Sequence, residues 1–80
     1  MTKLEEKLLE LGYVYVGEFL NCKKYIKQFN NCLLIRIEIT RRQPIGIVCF
    51  EGAIYFQEHI NYIQQAFNQL QKDLEVLQNV

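Results

Sequence analysis

Three cysteines, one histidine and a run of basic residues around a tyrosine are the side chains whose types could do chemistry in this sequence. Cys22 and Cys32 each follow an asparagine in the stretch NCKKYIKQFNNCLL, residues 21–34. Such a repeat invites three readings: a metal clip, a disulfide or a redox pair. A zinc site asks for four N or S ligands, whereas His59 is the only histidine and there is no C-x-x-C spacing. If Asn30-Asn31 forms a two-residue turn, which Asn tolerates well, Phe29 faces Cys32, Lys27 faces Leu34, Tyr25 faces Arg36 and Lys23 faces Glu38. Cys22 then lies near Ile39, at the far end of the hairpin. At about 3.3 Å per residue the two thiols stand roughly 25–30 Å apart, against the ~7 Å between Cα atoms that a disulfide tolerates. The expectation is therefore no metal and no disulfide. Cys49, alternating with Ile45 and Ile47, reads as a small core residue.

That register has a competitor. With the two-residue turn, Ile26 shares a face with Leu33, Ile35 and Ile37, but so do Lys24 and Gln28. A slip of one moves Tyr25 and Phe29 onto that face instead, together with Lys27. Either version leaves a polar side chain among apolar ones, and a bulge or a three-residue turn would resolve the conflict.

The basic set is Lys23, Tyr25 and Lys27 on one strand, with Arg36, Arg41 and Arg42 on the next strand and its loop. Cations interleaved with an aromatic on an open sheet face outline a nucleic-acid platform. The same residues also suit a solvated face, where lysines keep sheets from pairing edge to edge. Catalysis finds little support. His59 is isolated, the chain contains no Ser, the carboxylates form no paired constellation, and Gly46 and Gly52 do not belong to a phosphate loop. No enzyme activity and no cofactor are expected.

These side chains must be positioned by a small number of elements. Thr2 and Glu5 make a capping box, Leu4, Leu8 and Leu11 follow at helical spacing, and Gly12 suits the end of a helix, which predicts a helix over 2–11. Strands are expected at about 13–20, with Gly17 a bulge, then 23–29, 32–40 and 45–50, with 53–56 available as a short fifth. In the third, Leu33, Ile35, Ile37 and Ile39 point one way and Leu34, Arg36, Glu38 and Thr40 the other, the mark of a sheet with one packed face. A helix follows over about 57–78. Phe56, Ile60, Ile63, Phe67, Leu70, Leu74 and Leu77 fall at alternating steps of three and four, a heptad seam flanked mostly by Gln and Asn. The predicted fold is α+β in a single domain, 1–80: a short N-terminal helix, an antiparallel meander of four or five strands, and a long C-terminal helix packed on one sheet face.

Eighty residues with nine basic and nine acidic side chains carry no net charge, so no general field draws the chain to nucleic acid or an anionic membrane. No apolar run is long enough to span a bilayer, and the opening MTKLEEKLLEL has no uninterrupted apolar stretch of the secretory kind. An odd number of cysteines fits a reducing compartment. A cytoplasmic protein is expected.

Tyrosine is favoured at binding surfaces, and there are five. Tyr62 and Val76 lie off the heptad seam, and the C-terminal half of the long helix, with Leu70, Leu74 and Leu77, is expected to reach beyond a four-strand sheet. These five residues are the candidate partner-binding set, with a homodimer through the C-terminal helix as one form. A small-ligand pocket between protomers is a further option.

The opening MTKLEEKLLELGY and the closing INYIQQAFNQLQKDLEVLQ resemble small phage and prophage proteins of low-GC Gram-positive bacteria. About 30 of the 80 residues carry the likeness, and the strands match only in pattern. No catalytic or binding residue transfers with it. The resemblance implies a context: an interaction protein that binds a host or phage protein in the host cytoplasm and redirects or inhibits it, defence factors included. Nucleic-acid or nucleotide sequestration by the basic-aromatic face is the alternative.

Overall fold

The computed structural model describes residues 2–41, 43–50 and 57–80. Its elements are α1 (Lys3–Glu10), β1 (Val14–Phe19), β2 (Cys22–Gln28), β3 (Leu33–Thr40), β4 (Gln43–Phe50) and α2 (Gln57–Gln78). The strands form one antiparallel sheet in the order β1-β2-β3-β4. This is the α+β architecture read from the sequence. The expected fifth strand, 53–56, and Phe56 of the expected seam lie outside the described residues.

α1 is defined at both ends by local chemistry. Thr2 Oγ1 accepts from the Glu5 N–H and Glu5 Oε2 accepts from the Thr2 N–H, a complete capping box. At the other end Gly12 takes φ 97°. The N–H groups of Gly12 and Tyr13 close back onto the carbonyls of Leu9 and Leu8, satisfying acceptors the helix leaves open. The bulge in β1 falls between Tyr15 and Gly17, where Gly17 has φ 143°, a conformation L side chains rarely adopt.

The β2–β3 register corrects the pairing favoured from the sequence. Lys23 pairs with Ile39, Tyr25 with Ile37 and Lys27 with Ile35, the version slipped by one. Two physical causes select it. Asn30 Oδ1 accepts from the N–H groups of both Cys32 and Leu33, at 2.8 and 2.9 Å, which closes a turn one residue longer than Asn30-Asn31 alone. The slip also buries Tyr25 against the core, where the alternative would bury Lys24 and Gln28. The β1–β2 connection likewise moves by one. It is Leu20-Asn21, both at positive φ (52° and 63°), rather than Asn21-Cys22.

Both helices lie on one face of the sheet, the face of Leu33, Ile35, Ile37 and Ile39. Leu8, Tyr13, Tyr25, Leu70 and Leu77 complete the core. Gly46 of β4 lets α2 approach closely: a Cβ there would stand 2.4 Å from Leu70 Cδ1. Because even-numbered residues of β4 face the helix, Cys49 pairs with Leu34 on the opposite face. It is half-buried there, not the core residue expected.

α2 departs from the predicted seam. Its buried residues are Ala66, Leu70, Asp73 and Leu77, whereas Ile60 and Phe67 remain 49% and 44% exposed. The core-facing line is rotated toward β2, so that small Ala66 and charged Asp73 occupy places the heptad pattern assigned to Phe67 and Leu74. Leu74 is half-buried against the edge of the core.

Candidate interaction surfaces

The sheet register decides what the predicted sites can do. Lys23, Tyr25 and Lys27 lie on the helix-covered face, while Arg36 lies on the open one, paired with Ile26 and Ile47. The six-residue basic-aromatic platform therefore does not assemble as one surface. Its lysines are already engaged. Lys23 Nζ donates to Glu5 Oε1 at 2.6 Å, and this bond holds the Glu5 carboxyl below the ordinary carboxylate value and raises Lys23. Tyr25 packs on Tyr15, ring centroids 5.3 Å apart, and burial raises its hydroxyl pKa. Arg41 is exposed at positive φ in the β3–β4 turn; Arg42 lies outside the described residues.

Lys27 belongs to a polar cluster that sequence reading missed. Asp73, only 2% exposed, accepts from Lys27 Nζ and from the Tyr13 hydroxyl, both at 2.7 Å, and from Gln69 Nε2 at 3.0 Å. Lys27 Nζ also donates to the Leu11 carbonyl at 3.2 Å and sits 4.5 Å from the centroid of the Tyr13 ring. Burial, reinforced by the Asp73 carboxylate, pushes the Tyr13 hydroxyl well above its ordinary pKa. Both Asp73 oxygens are engaged, so the cluster ties the end of α1, β2 and α2 together. It offers no open position to a substrate. The available signal was Asp73 itself, an acid seven residues on from Ala66 and three on from Leu70, within the apolar spacing of α2.

The predicted partner-binding residues also divide. Leu70 and Leu77 are buried in the chain's own core, and Leu74 packs against it. The C-terminal half of α2 runs beside α1, where Val76 borders a shallow hollow with Lys3, Lys7 and Glu10. Tyr62 stays exposed beside the β2–β3 turn, lining a hollow of about 330 Å³ with Asn31, Phe50 and His59. Cys22, Cys32 and Cys49 are free thiols, Cys22 and Cys32 at opposite ends of β2. Among the described residues no group of three or more His, Cys, Asp or Glu could hold a metal ion, and no helix is long and apolar enough to cross a membrane.

The surface left uncovered is the second sheet face. Its middle carries Arg36, Glu38 and Lys24, with Arg36 Nε 3.2 Å and Lys24 Nζ 4.0 Å from Glu38 Oε1. The Arg36 contact is an ion pair without the alignment of a hydrogen bond. Around these charges lie Val14, Ile26, Leu34, Ile45 and Ile47. At one end the β1–β2 turn projects Phe19 and Leu20, 67% and 83% exposed. Sequence reading placed both in a strand and gave them no role, although an apolar pair leading into an Asn is an unusual turn sequence.

Compared with protein-family models, with curated proteins and with solved structures, the chain matches none.

Proposed function

We propose that this is a non-enzymatic interaction protein whose β1–β2 turn inserts Phe19 and Leu20 into an apolar pocket on another protein. The observation that carries the reading is Leu20, a large apolar residue almost fully exposed in the left-handed conformation, at φ 52°. That conformation costs a non-Gly residue on the order of 1–2 kcal/mol, and exposing Leu gains nothing in the free chain. The two-residue hairpin turn itself requires positive φ at both Leu20 and Asn21. What it does not require is a large apolar side chain there, where Asn, Asp or Gly serve better, and such a choice marks a site shaped by something outside the fold. The neighbouring charges suggest the rim of the partner's pocket. The β1–β2 and β3–β4 turns lie at the same end of the sheet, because Phe19, Cys22, Thr40 and Gln43 follow one another across the ladders. Arg41 therefore stands two strand spacings away, about 10 Å, and suits an acidic rim. The likeness of both chain ends to small phage proteins makes a host protein in the cytoplasm the partner to seek, with inhibition of a defence or regulatory factor as the outcome. A nucleic-acid platform has less support, since Arg36 and Lys24 share the open face with Glu38 while Lys23 and Lys27 are paired with Glu5 and Asp73.

The test is Leu20→Gly. Glycine relieves the left-handed backbone but adds chain entropy to the unfolded state, so stability should hold or rise by about 0.5–1 kcal/mol. Binding to a partner captured by the wild-type chain should fall at least tenfold. Unchanged affinity in the Leu20→Gly variant removes the basis for the proposal.

A further inference from the structure

We infer that β4 and the adjoining flank of α2 form the interface of a homodimer, in which two β4 strands pair antiparallel across a two-fold axis and join the sheets into one of eight strands. Four observations converge on this. First, β4 is an edge strand, and among the described residues nothing pairs with its outer side. Second, the two edges differ. β1 carries a bulge and Glu18, devices that discourage edge pairing, whereas β4, QPIGIVCF, has no charged residue and only Pro44 near its start. Third, two of the four exposed large apolar residues of α2, Ile60 and Phe67, face the same way. Asp73 reaches across to Lys27 of β2 and Val76 borders α1, so that flank looks inward over β2 and β1. Ile60 and Phe67 project from the opposite flank, beyond β4.

The fourth observation is one of spacing. α2 packs over both β3 and β4, its Leu70 seated on Gly46. A helix above the midline between these strands lies about 2.4 Å from β4 in projection, and the two-fold axis would lie about 2.4 Å outside it. The two α2 axes would then stand about 10 Å apart, within the ~8–10 Å at which helices pack. Antiparallel pairing of a strand with its own copy is self-complementary, as a two-fold interface requires. The paired strands are about 26 Å long, and a sheet and helix layer together are roughly 20 Å thick. The contact is therefore on the order of 500 Å² per protomer and roughly 1,000 Å² in total, at the threshold for a specific interface.

This inference does not rest on the function proposed above. The Phe19-Leu20 turn lies at the strand ends nearest the opposite edge, so the dimer would carry one such turn toward each side of a continuous open face.

Sedimentation velocity of the full chain between about 5 and 500 μM tests it. The expected result is a monomer–dimer equilibrium, weakened roughly 100-fold or more by Phe67→Glu, as for loss of a central aromatic contact. Phe19→Lys, on the open face, should leave that equilibrium unchanged. A second reading uses only the wild-type protein: amide exchange along β4 should slow as concentration rises, while that of β1 does not change. A wild-type chain monomeric at 500 μM overturns the inference. So does a dimer that Phe67→Glu leaves intact, or one in which β4 exchange is independent of concentration.

Discussion

Replacing Asp73 with alanine should cost this protein about 3–4 kcal/mol. Its carboxylate is the acceptor for Lys27, Tyr13 and Gln69, and it is almost fully buried. Removing one member of a buried ion pair costs ~3–5 kcal/mol, because the other charge is left without a partner. Here the lower end applies. The Lys27 side chain keeps 20% exposure and its bond to the Leu11 carbonyl, so its ammonium recovers some solvation. The stranded Tyr13 hydroxyl adds about 1 kcal/mol. An 80-residue domain is worth roughly 4–12 kcal/mol in total, so the single substitution brings it near its unfolding threshold. The triple variant Asp73→Leu, Lys27→Met, Tyr13→Phe removes every strong partner at once and fills the space with apolar atoms. It should lie within ~1–2 kcal/mol of the wild type. The assay is urea unfolding followed by far-ultraviolet circular dichroism, with the single variants completing the cycle and a coupling of at least 2 kcal/mol expected. Two results would refute the reasoning: a cost below ~1 kcal/mol for Asp73→Ala, or a triple variant no more stable than it.

Tyr13 makes stability depend on alkaline pH. Its pKa is raised in the folded state, so above about pH 10 the unfolded chain loses a proton that the folded chain keeps. Stability is complete below that pH and then falls by up to ~1.4 kcal/mol per unit; Tyr13→Phe should flatten the decline in urea midpoints between pH 9.5 and 11. Gly46→Ala should destabilise by about 1–3 kcal/mol, since its Cβ would meet Leu70 Cδ1, Cδ2 and Cγ within 3 Å and the buried leucine cannot simply turn its tip away. Thermal unfolding measures it, and a melting temperature equal to wild type would contradict the close approach.

Local signals in the sequence translated directly into structure. The capping box, the glycine after α1, the bulge at Gly17 and the alternation of β3 each depend on neighbours a few residues away. What the sequence left open depended on contacts across the fold. The β2–β3 register turned on whether Tyr25 or Ile26 found a place in the core, and neighbouring strands and helices decided that. The seam of α2 looked like Ile60, Phe67 and Leu74 because heptad counting weighs hydrophobicity alone. It could not anticipate that a lysine on β2 and a tyrosine before β1 would draw Asp73 inward and turn the helix with it. The same limit hid the surface. Nothing in GEFLNC says which face of a turn meets water, and Leu20 stands out only once its backbone conformation is known.

The Tyr13–Asp73 bond joins residues 60 apart in the chain. Contacts at such separation close the largest loop and tend to form late, after local hairpins have assembled. If the transition state precedes it, weakening this bond leaves the folding rate almost unchanged and accelerates unfolding instead. A stopped-flow chevron for Tyr13→Phe would show this as a shift confined to the unfolding limb. The buried acid of α2 would then govern how long the folded state survives more than how quickly it is reached.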